Sequence, residues 1–525
     1  MTASTQGAPA QGQVRAPRLA NATIGLVDAA TRRPGYSRAG LKVGIVHIGV
    51  GGFHRAHMAM SIDALMSQGL ARDWAICGVG LLESDRRVKT ILDAQDCLYT
   101  LTVKHPDGRE ESSIIGSIVD YLFAPDDPEA VIERMAHPDT RVVSLTITEG
   151  GYNVDRVTGQ FDAANPAVVA DLAPGASPTT VFGYVVEALR RRRERGLPAF
   201  TVLSCDNIQG NGHMAARGFS GFADLKDPSL GRWVRENVSF PNSMVDRITP
   251  VTAAADVVVA ERRSGLRDEW PVVCEPFFQW VIEDEFPLGR PPLEAAGAQL
   301  VGDVEPYELM KLRLLNASHQ GLCYFAYLSG YRLVHEAMAD PLFSSFLLAY
   351  MDREATPTLR PVPGVDLDEY KRSLIERFSN PYVRDTVARL CAESSDRIPK
   401  WLVPVVREQL ETGGEIRLSA AIIASWARYA EGVDEQDRPI AVVDSLRDEL
   451  VAIAKSQGDH PFAFVQNRAL FGDLVDNARF AGAYSVALAS LHDIGAHETL
   501  RSLVDVPDGP SRADDDHPDD KENRQ

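Results

Sequence analysis

The stretch Lys42–Met66, KVGIVHIGVGGFHRAHMAMSIDALM, changes its periodicity half-way along. Val43 to Ile48 is a short run rich in β-branched residues, which predicts a strand. The segment after it has apolar residues at helical spacing. Between the two, glycines at positions 49, 51 and 52 permit positive φ and close approach of other backbone. The stretch therefore predicts a strand, a tight turn and a helix.

The glycine spacing resembles the start of a dinucleotide-binding fingerprint, in which a pyrophosphate lies at the helix N-terminus. His54 occupies the third fingerprint position, where Gly or Ala is usual, and a turn without a ligand is the alternative interpretation. The candidate cofactor-binding residues in the turn are Ile48, Gly49, Val50, Gly51, Gly52 and Phe53.

Acidic residues follow the second predicted strand, Asp73 to Leu82. Glu83 and Asp85 are candidates to accept hydrogen bonds from an adenosine ribose and to repel a 2′-phosphate, which favours NAD. Arg86 and Arg87 come directly afterwards and are able to accommodate the phosphate of NADP. The sequence predicts NAD, with NADP as the alternative.

Composition limits the class of protein. A chain of 525 residues with 45% hydrophobic and 24% charged residues is typical of a globular protein of two or three domains. A net charge of −19 argues against general binding to nucleic acid or to anionic membranes. No apolar run reaches the length of a membrane span, and the N-terminus MTASTQGAPAQGQVRAP has no apolar region of the kind that directs export. The six scattered cysteines predict neither a disulfide framework nor a zinc site. We expect a cytoplasmic protein.

Polar residues follow two later strands. RVVSLTITEGGYN is expected to end as a strand at Glu149, and Phe200 to Ser204 is expected to be a strand that ends before Asp206 and Asn207. Strand C-termini in open α/β sheets face the ligand crevice, so Glu149 and Asn207 are candidate site residues. A solvated loop acid is the alternative for Glu149. Asp246, beside Arg247, is either a site residue or half of a buried ion pair.

From about residue 298 the pattern becomes almost continuously helical. We predict a leader at 1–37, an α/β domain at 38–297, an α-helical domain at 298–508 and a disordered acidic tail at 509–525. A helix at 307–331 opens the second domain and contains KLRLLNASH, in which Lys311, Asn316 and His319 share one arc of an otherwise apolar helix. Such an arc can move a proton and hold an oxygen.

Two other functions are disfavoured. Arg190 to Arg193 form a basic run, but cations at a helix C-terminus before Gly196 explain the run better than nucleic-acid binding. His54 and His57 lack a third nearby ligand, so a zinc site is not expected.

Taken together, several motifs resemble the polyol-specific long-chain dehydrogenases and reductases, and among them the members that interconvert mannitol and fructose. The resemblance covers about residues 20–495 and rests on IVHIGVGGFHRAH, TITEGGYN, SCDN, FPNSMVDRITP and K-x4-N-x2-H at Lys311, Asn316 and His319. It implies a Rossmann-like dinucleotide-binding domain followed by a mainly α-helical domain, and metal-independent oxidation of a secondary alcohol with NAD.

The resemblance also implies roles for individual residues. Lys311 would be the catalytic base, and Asn207 and Asn316 would hold the substrate oxygen. Glu149 and Glu308 match acids that connect the lysine to solvent or shape the entrance. The residues that would line the polyol site are His319, Asp246, Arg389 and Arg397, and at Arg397 the sequence departs from the family pattern, which has a lysine.

Several alternatives stay open at this point. Within the family they are a reductase of fructuronate or tagaturonate, or a dehydrogenase of arabinitol or sorbitol. Outside it, a non-catalytic nucleotide-binding sensor is the competing class. The expected partner is a small polyol or ketose, with no nucleic acid and no membrane. Helical faces in the second domain suit internal packing or a second copy equally, and we predict a monomer.

Overall fold

The computed structural model describes residues 16–154 and 160–504 and divides into two compact units. The first unit runs up to Glu308 and also takes in Asn380–Arg384, and the second contains Leu309–Ser379 and the chain from Asp385 onwards. The predicted boundary lay at residue 298, whereas the chain passes into the second unit after Glu308. The predicted acidic tail and the first part of the predicted leader lie outside the described residues.

The first unit contains the strands of the molecule's sheets. They are β1 Thr31–Arg32, β2 Val43–Ile48, β3 Ala75–Gly80, β4 Tyr99–Lys104, β5 Glu110–Ile115, β6 Ile118–Phe123, β7 Val142–Leu145, β8 Thr201–Ser204, β9 Ser243–Asp246, β10 Val272–Cys274, β11 Gln279–Glu283 and β12 Gln299–Val301.

A five-stranded parallel sheet, in the order β6-β3-β2-β7-β8, forms the centre of the first unit. This is the strand order of a doubly wound dinucleotide-binding fold, with the order reversing between β2 and β7. Apolar side chains cover both faces: Val46 and Val143 belong to one core cluster, and Ile45 and Val142 to the other. The predicted Rossmann-like fold is confirmed.

Two smaller sheets complete the first unit. Strands β4 and β5 pair antiparallel on either side of the turn HPDG, residues 105–108, and belong to a four-stranded sheet in the order β1-β5-β4-β10. A three-stranded sheet has the order β12-β11-β9. The helices of this unit are α1 Gly52–Ala56, α2 Met58–Ser67, α3 Arg86–Ala94, α4 Pro128–Ala136, α5 Pro166–Leu172, α6 Val181–Glu194, α7 Asn211–Lys226, α8 Pro228–Asn237 and α9 Ala254–Ser264, followed by α10 Glu305–Met310, whose end enters the second unit.

The second unit is helical. Its helices are α11 Ala317–Leu328, α12 Val334–Met338, α13 Pro341–Tyr350, α14 Leu367–Phe378, α15 Val387–Cys391, α16 Ser394–Trp401, α17 Val403–Thr412, α18 Arg417–Ala430, α19 Arg447–Lys455, α20 Arg468–Phe471, α21 Ala478–Asp493 and α22 Gly495–Leu503. Helices α11 and α18 are buried on nearly all sides, as their apolar sequences require. Within the described residues, no helix is both long and apolar enough to cross a bilayer.

Two helical predictions need correction. The predicted helix at 307–331 is not one α-helix: α10 gives way to a π-helical segment, Lys311–Asn316, before α11 begins. Hydrophobic periodicity does not reveal such a segment because it changes the backbone pairing from i+4 to i+5 without a change in composition. The continuous helical pattern predicted beyond residue 298 is also interrupted between α19 and α20, where the chain is mostly turn until Arg468–Phe471.

The glycine turn after β2 depends on Gly49. Its φ is +95°, and a Cβ there would lie 2.1 Å from the carbonyl oxygen of Thr146, just beyond β7. Gly51 differs, because a Cβ at that position would meet only the Gly49 oxygen, at 3.9 Å. Gly49 therefore permits the close approach of β2 and β7, and Gly51 leaves the outer side of the turn open.

We expect Gly49→Ala to lower the free energy of unfolding by about 1–3 kcal/mol or more, because the methyl group meets a backbone carbonyl that cannot rotate away. Urea unfolding followed by circular dichroism measures the change. Gly51→Ala is the matched control and should stay within about 0.5–1 kcal/mol of the parent. Equal losses in both variants would contradict the packing argument.

Candidate active site

The glycine turn is bonded to the end of the neighbouring strand. The Thr146 hydroxyl donates to the Gly49 carbonyl oxygen at 2.6 Å, and His47 Nε2 lies 3.0 Å from the same hydroxyl. His47 Nδ1 lies 2.8 Å from Ser144 Oγ. Burial lowers the pKa of His47 to about 3, so this buried imidazole is neutral at ordinary pH. These bonds fix the turn at the C-terminal edge of β2 and β7, where ligands bind in this fold.

His54 fills the space that the third fingerprint glycine usually leaves. Its ring stacks on His47 with centroids 3.4 Å apart and an interplanar angle of 9°. Burial lowers the pKa of His54 well below its usual range, and neither ring nitrogen has a hydrogen-bond partner among the described residues. His57 Nε2 lies 3.1 Å from the carbonyl oxygen of Gln279. Both histidines of HRAH thus belong to the packing beneath the turn.

The acidic residues after β3 hold the nearby arginine. Arg86 donates to Glu83 Oε2 at 3.1 Å and to Asp126 Oδ1 at 3.0 Å, and this guanidinium lowers the pKa of the Glu83 carboxyl. Asp85 accepts the Leu82 N–H at 3.0 Å. Because two carboxylates pair with Arg86, the end of β3 keeps an acidic character, which suits a free ribose hydroxyl better than a phosphate.

Strand β7 ends earlier than predicted, and the turn that follows it has a strained backbone. β7 ends at Leu145, and Glu149 lies in a 3-10 turn, Glu149–Tyr152, with its side chain exposed. Thr148 has φ +62° and ψ 168°, a region that is essentially restricted to glycine and costs about 1–3 kcal/mol. The strand ends early because the amides of Ile147 and Thr148 donate to a carboxylate, Asp206, instead of a neighbouring strand.

The loop after β8 carries Asn207, which is exposed, between two anchored residues. Asp206 is 7% exposed, and Asn211 donates from Nδ2 to the Asp206 carbonyl oxygen at 3.0 Å. Further along, Gly210 donates its N–H to the Glu308 carboxylate, at 3.1 Å from Oε1 and 3.2 Å from Oε2. Glu308 therefore fixes the far end of the loop that bears Asn207.

Asp246 and Arg247 are adjacent in sequence, and both are buried. Asp246 is the last residue of β9 and is 5% exposed. Arg247 donates from Nε to the Glu275 carbonyl oxygen at 3.0 Å and from Nη1 to the Ala56 carbonyl oxygen at 2.8 Å. The Arg247 guanidinium thus binds main-chain oxygens, and the role of Asp246 stays a prediction.

In the second unit, the π-helical segment has Lys311 at its start and Asn316 at its end. Residues five apart are turned by about 140° from each other in an α-helix, whereas i→i+5 bonding brings them to the same face. Lys311 is 6% exposed and Asn316 is 4% exposed. Asn316 Nδ2 is buried without a hydrogen-bond partner among the described residues. An amine and an unsatisfied amide donor thus share one face of the helix.

Arg313 anchors the π segment from the other side. It donates to both oxygens of Glu408, at 2.6 and 2.8 Å, and to the Thr358 carbonyl oxygen at 2.7 Å. Tyr350 donates its hydroxyl to the Arg313 carbonyl oxygen at 3.1 Å. The Tyr350 hydroxyl thus satisfies a carbonyl oxygen of the irregular backbone, and the contacts to Glu408 and Thr358 fix the Arg313 side chain. Sequence reasoning missed both the segment and its anchors, and the charged Arg313 inside an apolar run was the available signal.

The second unit also surrounds His319 with cations. The pKa of His319 lies well below its usual range. Burial is the largest cause, followed by the positive charges of Arg389, Arg377, Arg397 and Lys311. Arg389 donates from Nε to Asp385 at 2.6 Å, and Arg397 donates from Nη1 to the Leu390 carbonyl oxygen at 3.0 Å. His319 is therefore a neutral imidazole in a cationic environment, able to hydrogen-bond a hydroxyl or a carbonyl oxygen.

Comparison with known proteins gives the relationship. Residues 43–295 match the family model of the mannitol dehydrogenase Rossmann domain, and residues 303–492 match that of the mannitol dehydrogenase C-terminal domain. A mannitol 2-dehydrogenase of Aspergillus fumigatus is 45% identical over 478 residues, which are 90% of this chain and 95% of the relative. The chain belongs to the mannitol dehydrogenase family. The predicted resemblance to polyol-specific dehydrogenases is thereby confirmed.

Two solved structures extend the comparison within the mannitol dehydrogenase family. The ternary complex of Pseudomonas fluorescens mannitol 2-dehydrogenase with NAD and D-mannitol is 43% identical, with a TM-score of 0.85 over 93% of this chain and 99% of that one. A substrate-free D-sorbitol dehydrogenase is 40% identical, with a TM-score of 0.84 over 92% of this chain and 100% of that one. As a member of the mannitol dehydrogenase family, the protein is an oxidoreductase.

Proposed function

We propose that the protein interconverts D-mannitol and D-fructose with NAD(H), using Lys311 as a general base and no metal. The observation that carries the proposal is the π segment, which presents a buried lysine and an unsatisfied asparagine amide on one face. The mannitol 2-dehydrogenases similar to this chain over nine-tenths of its length support the choice of substrate. A nucleotide-binding sensor has no use for a buried base and an unsatisfied donor together.

In the proposed reaction, each residue acts on a stated atom. Lys311 Nζ takes the proton of the hydroxyl that is oxidised, and the Nδ2 groups of Asn207 and Asn316 donate to that oxygen as it gains negative charge. When NAD(H) is bound, its nicotinamide would supply the hydride chemistry, and the residues of this chain would orient it. The ordinary pKa of a lysine, about 10.4, leaves it protonated at neutral pH, so the proposal requires that burial favour the neutral amine.

The remaining predicted residues have proposed roles in binding the substrate and in relaying the proton. We propose that His319, Asp246, Arg389 and Arg397 hold the other hydroxyl groups of the polyol. Glu149 and Glu308 provide the route by which the proton on Lys311 exchanges with solvent. A cytoplasmic location and a monomeric state stay predictions of the sequence.

The cofactor proposal has its own support in the first unit. The open outer side of Gly51 leaves room for a pyrophosphate beside the backbone, and the residues of the turn from Ile48 to Phe53 would hold it. Glu83 and Asp85 would accept the ribose hydroxyl groups. Because Arg86 is already paired with Glu83 and Asp126, it is less available for a 2′-phosphate, which favours NAD over NADP.

A second candidate substrate is D-sorbitol, because a D-sorbitol dehydrogenase is similar over 92% of this chain. Oxidation at C2 of either D-mannitol or D-sorbitol gives D-fructose, so the two proposals differ only in the face of the ketose that receives the hydride. The product of fructose reduction therefore distinguishes them.

A substrate panel tests the proposed function. Fructose, xylulose, fructuronate and tagaturonate are each reduced with NADH and with NADPH, followed by nicotinamide absorbance, and the polyol formed from fructose is identified by chromatography. We expect the highest kcat/KM for fructose with NADH, at least about tenfold above NADPH, which corresponds to ~1.4 kcal/mol, and mannitol as the product. Faster reduction of a sugar acid, or sorbitol as the product, would replace the proposed substrate, and no turnover at all would favour a sensor.

A further inference from the structure

We propose that Asp206 is a positioning residue for the reaction, whose carboxylate holds the turn bearing Glu149 in a fixed relation to Asn207. The inference rests on the proposed function, since it concerns the residues assigned there to proton exchange and to holding the substrate oxygen. Asp206 itself is placed one residue before Asn207 and is buried. It acts through its neighbours and is not assigned a contact with substrate.

Both oxygens of the Asp206 carboxylate are used by the turn after β7. Oδ1 accepts the Thr148 N–H at 2.8 Å, and Oδ2 accepts the Ile147 N–H at 3.0 Å and the Tyr152 hydroxyl at 2.7 Å. The Tyr152 oxygen also lies 2.6 Å from Ser204 Oγ, at the end of β8. One side chain from the β8 loop thus binds both ends of the turn that contains Glu149.

The backbone of Thr148 explains why a charged group is needed there. A β-branched residue at φ +62° and ψ 168° is strained, and such conformations persist only where the surroundings impose them. The amide of this strained residue is the one that Asp206 Oδ1 accepts. Because Glu149 is the next residue, release of Thr148 to an unstrained conformation would redirect the Glu149 side chain.

The main chain of Asp206 links this clamp to Asn207. The Asp206 carbonyl oxygen accepts hydrogen bonds from Asn211 Nδ2 at 3.0 Å and from the Ile208 N–H at 2.9 Å. The residues on either side of Asn207 are therefore held by the same group of bonds. In the Asp206→Asn variant, the side-chain NH2 group would face an N–H or O–H donor. At least one of the hydrogen bonds that the carboxylate accepts would therefore be lost.

The test compares two buried aspartates, each of which accepts hydrogen bonds from two consecutive main-chain amides in a different part of the first unit. Asp171, 2% exposed, accepts two consecutive amides, from Thr179 at 2.9 Å and from Thr180 at 2.8 Å, in a part of the unit with no proposed site residue. We expect Asp206→Asn to lower kcat for fructose reduction by about 10²-fold, with the NADH Kd changed little. Asp171→Asn should lower the Tm of the full-length enzyme and leave the kcat of the folded protein unchanged.

A rescue experiment separates positioning from general loss of stability. Glycine adopts the Thr148 conformation without strain, so the double variant Asp206→Asn/Thr148→Gly should regain at least about tenfold of the lost kcat. A double variant no more active than Asp206→Asn, or a folded Asp206→Asn with parental kcat, would overturn the inference. Inactivity of the parent on the whole substrate panel would instead overturn the proposed function.

A second variant keeps the inference testable if Asp206→Asn does not fold. Tyr152→Phe removes only one of the three donors to the carboxylate, and it leaves the apolar ring in place. We expect faster hydrogen exchange at the amides of Ile147 and Thr148 together with a lower kcat. Parental exchange and parental kcat in Tyr152→Phe would again overturn the inference.

Discussion

Replacement of Lys311 by alanine is expected to lower kcat for both polyol oxidation and ketose reduction by about 10²–10⁴-fold, the usual contribution of a general base or acid. NADH binding, measured by fluorescence, should change little, because the residues proposed to hold the cofactor lie in the turn after β2 and at the end of β3. Lys311→Arg should be nearly as inactive, since an arginine keeps the charge but does not release its proton at ordinary pH. Parental rates in either variant would remove Lys311 from the mechanism.

Lys371 provides the matched control. It is also a lysine that is 6% exposed in the second unit, and it forms ion pairs with Asp352 and Asp368. Lys371→Ala should lower the Tm while the folded enzyme keeps its kcat.

In the parent, the rate of polyol oxidation should rise with pH through one ionisation and that of ketose reduction should fall, because the two directions need opposite protonation states of Lys311. Profiles that do not respond to pH, with the chemical step limiting, would contradict a titrating lysine.

Asn316→Ala is the second large expected effect. Loss of one donor to a developing oxyanion typically lowers kcat by about 10²–10³-fold, and both directions of the reaction should suffer equally because they share one transition state. Stability should change little, because Asn316 Nδ2 has no hydrogen-bond partner among the described residues to lose. Steady-state kinetics in both directions, with thermal unfolding of the same samples, measures both quantities.

Asn380 gives the opposite expectation and serves as the control. It is 3% exposed, donates from Nδ2 to the Lys104 carbonyl oxygen at 3.1 Å and accepts the Tyr382 N–H at 3.0 Å. Asn380→Ala should therefore lower the Tm and spare kcat. If Asn316→Ala instead behaved in this way, the amide would have a structural role and Asn207 would be the remaining donor.

The sequence predicts the first unit well because its signals are local. The β-branched run at Val43–Ile48, the glycines after it and the apolar helix that follows each act over a few residues, and they specify a βαβ unit. The predicted end of β7 was wrong because of a contact with a residue that is distant in sequence. Ile147 and Thr148 continue the apolar, β-branched pattern of a strand, but their amides bond to Asp206, about 60 residues further along the chain.

The residue types of the candidate site could be predicted from the sequence, but the geometry of the helix that carries them could not. Lys311, Asn316 and His319 were recognised from composition and spacing, with angles taken from a regular α-helix. The structure replaces that helix with a π segment, whose anchors at Tyr350, Thr358 and Glu408 are distant in sequence. The charged Arg313 in an apolar run indicates a polar contact but not the residues that make it, so the irregularity could not be derived from this segment alone.

The π segment also affects how relatives of this chain should be compared. A helix that closes i→i+5 holds one residue more than a regular helix of the same length, so it can be gained or lost by a single-residue insertion or deletion. The helical packing after Asn316 would survive such a change, whereas Lys311 would rotate away from the amide. A descendant that had lost its chemistry could therefore keep the lysine, asparagine and histidine of the K-x4-N-x2-H motif and differ only by a one-residue gap between the lysine and the asparagine.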